Sequence, residues 1–242
     1  MKKTKLTKIV TFGLVIALIA GVACVRSFAK DNKKQAEPAE SKKVVKKITP
    51  TSMKGALFIG DSRTVGLMEY SEMEDPDFFC SVGMSTMNIN DECVSVPKVG
   101  KVTLEELLSN KKYSKIYLML GINEVGCDTD TVISNYAAII DSIREKQPDA
   151  KIFVEANLHV TKDKSDTDNL INNEAIDKLN SKMSEFANDK DIFYMDANPE
   201  FDDDEGNLSS DLTSDGVHLY AKHYIKWGQW ISTETTRLLK EN

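Results

Sequence analysis

Five short apolar runs, separated by stretches with helical periodicity, constrain this chain more than any other feature. Short apolar runs bounded by glycine or polar residues are typical of buried strands. Strands that alternate with helices predict a parallel sheet covered by helices on both faces, and therefore an α/β fold. The five predicted strands are Ala56–Ile59, Phe78–Val82, Lys115–Leu120, Lys151–Glu155 and Asp191–Met195.

Three apolar stripes predict the main helices between and after these strands, because their members recur at intervals of three or four residues. Such stripes of apolar and aromatic side chains are expected to face the core rather than a ligand. The stripes are Val132/Tyr136/Ile139/Ile143, Ile176/Leu179/Met183/Phe186 and Tyr220/Tyr224/Trp227/Ile231.

The charge of the chain divides it into two parts that need separate explanations. Residues 1–54 hold thirteen basic and three acidic residues, a net charge of +10, so that of the chain's overall −7 the remainder carries −17. An acidic body of this kind lacks the basic face that nucleic-acid binding requires. We therefore expect no nucleic-acid partner.

The basic part begins with a leader over residues 1–29. Four lysines precede an apolar run from Ile9 to Val25, which at 1.5 Å per residue is about 25 Å long. This pattern is typical of a signal peptide or an N-terminal membrane anchor, so we expect an extracytoplasmic protein that contacts the membrane through this segment. Cleavage after Ala29, lipidation at Cys24 and a retained anchor all remain open. The retained anchor is slightly favoured by the length of the run.

Residues 30–54 are rich in Lys, Glu, Ala and Pro, a composition typical of a flexible linker. A single domain is then expected over residues 55–242. Its length is ample for a hydrophobic core that needs no disulfide support.

Three polar segments follow predicted strands or precede the last helix, and each could carry chemistry. Gly60-Asp61-Ser62-Arg63 follows the first strand, and Asn123 lies just after the third. Asp215-Gly216-Val217-His218 precedes the last helix, where the aspartate could orient the histidine as a general base. Taken singly, these residues could equally be a helix cap and turn residues.

Taken together, the segments resemble the SGNH (GDSL-type) esterase and acylhydrolase superfamily. The nucleophile block reads FIGDS, the third block GIN and the last block DGVH. The resemblance spans residues 55 to about 237 and implies a three-layer α/β/α sandwich with a five-stranded parallel sheet. It also implies Ser62 as nucleophile, His218 as base and Asp215 as its orienting acid. The oxyanion hole would use the backbone N–H groups of Ser62 and Gly83 and the side chain of Asn123.

Two residues depart from the family pattern without touching the implied catalytic set. Arg63 stands where the family usually has Leu, and Glu124 stands where it has Asp. Arg63 could pair with Asp61 at the surface or face the cleft and contact an anionic substrate. His159, in the loop after the fourth strand, could also touch substrate, although a solvated loop histidine is the simpler interpretation.

The sequence offers no pattern for a metal or a cofactor. The acidic run Asp202–Glu205 lacks EF-hand spacing, and we interpret it as a solvated turn. Cys80, Cys93 and Cys127 lack zinc-site spacing, and a Cys80–Cys93 disulfide stays open.

The resulting hypothesis is an extracytoplasmic serine esterase that acts on an acylated, most simply acetylated, carbohydrate or another small ester. The likeness of the triad indicates ester hydrolysis, and expected export indicates an envelope or extracellular carbohydrate. Three alternatives remain: a lipase, an acyltransferase of the same fold, and a non-catalytic carbohydrate-binding module.

Overall fold

The computed structural model describes residues 51–241, and the predicted leader and most of the predicted linker lie outside them. Five parallel strands form the main sheet in the order β2-β1-β5-β6-β7. They are β1 (Ala56–Gly60), β2 (Asp77–Cys80), β5 (Lys115–Met119), β6 (Lys151–Glu155) and β7 (Ile192–Met195). The five predicted strands are therefore confirmed, with ends that differ by two residues at most.

The described residues form six α-helices, and five of them pack on the two faces of the sheet. They are α1 (Ser62–Tyr70), α2 (Leu104–Asn110), α3 (Thr129–Lys146), α4 (Lys162–Thr167), α5 (Asn173–Ser184) and α6 (Ala221–Glu241). One core cluster joins apolar side chains of α2, α3 and α5 to one face of the sheet. A second cluster joins α1 and α6 to the other face. The fold is thus the predicted three-layer α/β/α sandwich.

The sheet face that packs on α1 and α6 carries a continuous row of aromatic rings, one from each strand. Neighbouring rings stack with centroid separations of 5.1, 4.4, 4.8 and 5.3 Å. All five side chains are buried, so the row contributes both apolar burial and ring–ring attraction to the core. In sheet order, the rings belong to Phe78, Phe58, Tyr117, Phe153 and Phe193.

Several local predictions need correction. Val82 lies beyond β2 and is 79% exposed, because the chain turns away from the sheet after Cys80. Tyr220 precedes α6 and is 43% exposed.

Met53, which composition placed in the linker, is buried against the α1–α6 face, and Thr51 is hydrogen-bonded to Ser232 of α6. The ordered domain therefore includes residues before the predicted boundary at Gly55.

A small antiparallel hairpin, which the apolar pattern did not predict, connects β2 to α2. Its strands are β3 (Val94–Val96) and β4 (Gly100–Val102). Strands of three residues are too short for an alternating pattern to be distinguished from a loop.

Glu155, the last residue of β6, predicts a pH dependence of stability that one substitution can remove. The residue is 3% exposed, and burial raises the pKa of its carboxyl group to about 8. Between the unfolded value of 4.5 and pH 8, the folded protein keeps a proton that the unfolded chain releases. Stability should therefore fall as pH rises through this window, by about 1.4 kcal/mol per pH unit from this group.

Glu155→Gln keeps the shape of the side chain and removes the titration. We expect its free energy of unfolding to exceed that of the native protein at pH 8 and to approach it at pH 5. Urea denaturation of both proteins at the two pH values measures this difference. A difference in unfolding free energy between the two proteins that is the same at pH 5 and pH 8 would contradict the assignment.

Candidate active site

The polar segments singled out in the sequence meet at the carboxyl edge of the sheet. Ser62 begins α1 directly after β1, Gly83 follows β2, and Asn123 follows β5. Asp215 and His218 lie in the loop between β7 and α6. Ligand sites of parallel α/β sheets lie at this edge, so the fold supports a site here.

Ser62, His218 and Asp215 form a continuous hydrogen-bonded chain. Ser62 Oγ lies 2.8 Å from His218 Nε2, and His218 Nδ1 lies 2.8 Å from Asp215 Oδ2. The second oxygen of Asp215 accepts from the backbone N–H groups of His218 and Val217 at 2.8 and 2.9 Å. A nucleophile, a base and an orienting acid within hydrogen-bond reach is the arrangement that activates a serine hydroxyl.

The ionisation of Asp215 fixes the direction of these hydrogen bonds. Partial burial works to raise the pKa of this carboxyl group, but the bonds from the backbone and ring of His218 and from Val217 outweigh it and hold the pKa below its ordinary value. An ionised carboxylate only accepts hydrogen bonds, so Nδ1 of His218 must donate. Nε2 is then left to accept the hydroxyl proton of Ser62.

A glycine makes the turn between Asp215 and His218 possible. Gly216 has φ +80°, and a Cβ atom there would lie 2.7 Å from Thr161 Oγ1. The carbonyl of Gly216 accepts from the backbone N–H of Thr161 at 2.9 Å, which ties this loop to the segment before α4. Glycine is therefore required at this position both by conformation and by space.

The turn that presents Ser62 is equally restricted. A Cβ atom at Gly60 would lie 2.1 Å from Thr64 Oγ1 and 2.5 Å from the Met119 carbonyl oxygen. Asp61 caps α1 by accepting from the backbone N–H of Arg63 at 2.8 Å. Asp61 is fully buried, and burial raises the pKa of its carboxyl group.

Three candidate hydrogen-bond donors follow β1, β2 and β5 at the sheet edge where Ser62 lies. Among the described residues, no group accepts from the backbone N–H of Ser62 or of Gly83. The Asn123 side-chain amide donates to the Met84 carbonyl at 2.9 Å, and Asn123 itself is exposed. Gly83 has φ +81°, a conformation that few other residues adopt readily. These are the groups that the family resemblance implies for an oxyanion hole.

Two residues that the sequence did not assign to the site hold the Gly83 segment in place. Glu124 is 3% exposed, and its Oε1 accepts from the backbone N–H of Thr86 at 2.5 Å. Asn88 accepts from the backbone N–H of Ser85 at 2.7 Å and donates to the Gly83 carbonyl at 3.2 Å. The departure of Glu124 from the family pattern was the only signal in the sequence that pointed to this support.

Arg63 lies neither at the surface nor in the cleft, the two environments that the sequence suggested. Its side chain is 1% exposed, so it neither lies at the surface nor faces a substrate. Its three guanidinium nitrogens have no hydrogen-bond partner among the described residues, and its link to Asp61 is through the backbone. Burial lowers the pKa of the guanidinium, opposed by the charges of Asp61 and Asp215 and by Tyr224. The expected substrate contact and the expected surface ion pair are therefore both wrong.

The side chain of His159 is hydrogen-bonded to two other segments of the domain and is not a free loop side chain. Its Nδ1 lies 2.8 Å from Asp202 Oδ2, and its Nε2 lies 2.9 Å from Asp177 Oδ1. Burial lowers the pKa of the imidazole, but the two carboxylates outweigh this and raise it to about 9. Both ring nitrogens are thus engaged, which corrects the expected contact with substrate. The contacts tie the loop after β6 to α5 and to the loop after β7.

The remaining candidate groups are accounted for locally. Asp203 accepts from the backbone N–H groups of Glu205 and Asn207, as in a tight turn. Within residues 51–241, no group of three or more His, Cys, Asp or Glu side chains is placed to hold a metal ion.

The three described cysteines are free thiols. Cys80 is buried, and Cys93 and Cys127 are exposed, so the Cys80–Cys93 disulfide does not form in this structure. The described helices include none long and apolar enough to cross a bilayer.

Several solved structures share this fold. A protein from Streptococcus pneumonia has a TM-score of 0.61 at 23% identity, with 76% of this chain and 84% of that chain covered. A GDSL-like lipase from Bacteroides thetaiotaomicron has a TM-score of 0.57 at 14% identity, with 77% and 88% covered. A family two carbohydrate esterase from Clostridium thermocellum has a TM-score of 0.55 at 14% identity, with 79% and 65% covered. A search of curated proteins gives no match.

The comparison with protein families matches residues 58–224 to the GDSL-like lipase/acylhydrolase family. The matched region is well over half of the chain, and it contains the Ser62, Asn123, Asp215 and His218 segments. The chain therefore belongs to the GDSL-like lipase/acylhydrolase family and is a carboxylic ester hydrolase.

Proposed function

We propose that this protein is an extracytoplasmic serine esterase that removes ester-linked acyl groups, acetyl foremost, from envelope or extracellular carbohydrate. The observation that carries the proposal is the Ser62–His218–Asp215 chain, with both heavy-atom distances at 2.8 Å. The expected leader supports export, and it lies outside the described residues. The carbohydrate esterase that shares the fold supports the substrate class.

The proposed reaction proceeds by acyl transfer in two steps. His218 removes the proton of Ser62 as Oγ attacks the ester carbonyl carbon, and a tetrahedral intermediate forms. The backbone N–H groups of Ser62 and Gly83 and the amide of Asn123 donate to its oxyanion. His218 then gives the proton to the departing alcohol. A water molecule, deprotonated in turn by His218, attacks the acyl carbon. The bond from that carbon to Ser62 Oγ then breaks, His218 returns the proton to Oγ, and the acid is released.

Asp215 has a supporting part in this mechanism. Its carboxylate holds Nδ1–H of His218 and stabilises the imidazolium that forms in each step. Two backbone N–H bonds fix the carboxylate itself, so the ring is oriented before substrate arrives.

Active-site labelling tests the proposal. The full-length chain should react with a serine-directed fluorophosphonate, with mass spectrometry placing the adduct on Ser62. The labelled protein should lose activity toward 4-nitrophenyl acetate, and a panel of acyl chain lengths should show the highest turnover with acetate. A protein that remains unlabelled and inactive would refute the serine mechanism. A preference for long chains would refute the acetyl assignment alone.

The bond from Thr86 to Glu124 predicts an order of activities among substitutions at position 124. Glu124→Gln keeps an acceptor oxygen at the same reach and should retain most activity. Glu124→Asp, the residue usual in the family, is one methylene shorter and should lose contact with the Thr86 N–H, which frees the Gly83 segment. Because misplacing an oxyanion donor weakens transition-state binding, we expect kcat to fall about tenfold or more while KM changes little.

Steady-state kinetics of both variants with 4-nitrophenyl acetate measure this order. Thermal unfolding of the same samples separates local misplacement from a general loss of folding. A Glu124→Asp variant as active as Glu124→Gln would show that the length of this side chain is unimportant.

A further inference from the structure

A cavity of the described domain lies beside Asp215 of the triad, and no catalytic step uses it. Its volume is about 660 Å³, within the range of about 300–1,000 Å³ that is usual for small-molecule sites. Its walls come from α4, which follows β6, and from the loop after β7, and its lining includes Asp215 and Gly216. It therefore opens at the same sheet edge as Ser62. We call it the α4 cleft.

The position of the α4 cleft matches the side on which the alcohol of an ester departs. The three proposed oxyanion donors follow β1, β2 and β5, which lie together at one side of the sheet. The lining of the α4 cleft comes from the segments that follow β6 and β7, the two strands at the other side of the sheet, and it includes Asp215. The acyl oxygen faces the oxyanion donors, and His218 protonates the leaving oxygen. The alcohol part of the ester is thus directed toward the α4 cleft.

The walls of the α4 cleft present free oxygen groups. Among the described residues, no hydrogen bond or ion pair engages the side chains of Asp163, Ser210 or Ser214. A carboxylate and two hydroxyl groups can accept hydrogen bonds from hydroxyl groups of a ligand, and the hydroxyls can also donate. The described residues that line the cleft include no aromatic side chain, and Leu208 is the only large apolar residue among them.

The cations of the α4 cleft are already neutralised. Lys162 Nζ lies 3.3 Å from Asp166 Oδ2, and Lys164 Nζ lies 2.8 Å from Asp168 Oδ2. Each ammonium group therefore has its own carboxylate partner, and Asp163 and Asp203 add further negative charge to the lining. This charge pattern disfavours an anionic ligand and a lipid chain alike, and it favours a neutral ligand rich in hydroxyl groups.

We infer that the α4 cleft is the subsite for the alcohol part of the substrate, and that this alcohol is a neutral saccharide. The inference rests on the proposed esterase function, since it assigns the direction of the leaving group. The bond between Thr161 and Gly216 connects the cleft wall to the triad loop, so a bound saccharide would be held in fixed relation to His218.

Filling the cleft tests the inference. Ser210 is exposed, and its side chain makes no hydrogen bond to another described residue, so Ser210→Trp should fold normally and obstruct the cleft. Ser181→Trp is the matched control, because Ser181 is exposed on α5 and does not line the cleft. For Ser210→Trp, we expect the ratio of KM for O-acetylated xylotriose to KM for 4-nitrophenyl acetate to rise about tenfold. For Ser181→Trp, the ratio should not change. An unchanged ratio in Ser210→Trp would overturn the inference.

A binding measurement keeps this test independent of catalysis. Calorimetric titration of Ser62→Ala protein with O-acetylated xylotriose should show binding, and adding Ser210→Trp should abolish it. Absence of binding to the Ser62→Ala protein would overturn the subsite. Binding that is lost with Ser210→Trp would support the subsite even if the native protein hydrolysed no ester, which is the outcome that would refute the proposed function.

Discussion

Replacing Ser62 by alanine is expected to lower kcat/KM for 4-nitrophenyl acetate by about 10⁴–10⁶-fold, since losing the nucleophile removes the covalent route. Among the described residues, Ser62 Oγ makes one hydrogen bond, to His218, and the side chain lies partly exposed at the start of α1. Its loss leaves no buried polar group without a partner. The folded structure should therefore persist, with a thermal midpoint close to that of the native protein.

The matched control is Ser134→Ala. Ser134 is exposed on α3, outside the candidate site. In the described part of the chain its hydroxyl bonds only the carbonyl of Asp130 within its own helix. Its kcat/KM should equal the native value. If Ser62→Ala kept activity within tenfold of the native protein, another nucleophile would be acting and the assignment would fail.

Asn123→Ala should lower kcat by about 10²–10³-fold, the usual loss for one oxyanion donor. Asn123 is exposed, and within residues 51–241 its side chain bonds only the Met84 carbonyl, so the substitution should cost little stability. KM should change much less than kcat, because the amide is proposed to bind the oxyanion more strongly than the ground-state carbonyl.

A loss of kcat in Asn123→Ala has a second possible cause. The substitution also removes the hydrogen bond to the Met84 carbonyl and could displace the Gly83 segment. A further variant separates this cause from the loss of an oxyanion donor. Asn88→Ala removes the bond to the Gly83 carbonyl and leaves Asn123 in place. If Asn123 acts only by holding the segment, Asn88→Ala should cause a comparable loss. If Asn123 is the donor, Asn88→Ala should cost clearly less than Asn123→Ala. Equal kcat in Asn123→Ala and native protein would remove this amide from the oxyanion hole.

The strands and major helices could be predicted because local patterns determine them. Each strand of the main sheet is a short apolar run, and α3 carries its buried face at regular intervals over Val132, Tyr136, Ile139 and Ile143. The position of Ser62, Asn123 and His218 at one edge of the sheet followed from topology, because the segments that contain them follow the carboxyl ends of parallel strands. The family motifs then indicated which role each would have.

The environments of Arg63 and His159 could not be predicted, because they depend on contacts distant in sequence. His159 bonds Asp177 and Asp202, which are 18 and 43 positions away. A charged residue such as Arg63 is rarely buried, so its sequence position suggested a surface or a cleft. Arg63 is instead buried where α1 packs against α6, and the local sequence pattern does not predict that contact.

The row of stacked rings has a consequence for how accurately the catalytic groups are placed. Every ring stands two residues before the last residue of its strand: Phe78 before Cys80, Phe58 before Gly60, Tyr117 before Met119, Phe153 before Glu155 and Phe193 before Met195. Because paired residues share one register, the rings bring all five strand ends to the same height.

A slip of one residue in any strand would turn its ring to the opposite face of the sheet and break the stack. The free-energy cost of such a slip therefore keeps the strand ends at one level, in addition to stabilising the fold. Ser62 follows its ring by four residues, Gly83 by five and Asn123 by six. The stacked core thus sets a common level at the sheet edge, from which short loops lead to the proposed nucleophile and the proposed oxyanion donors.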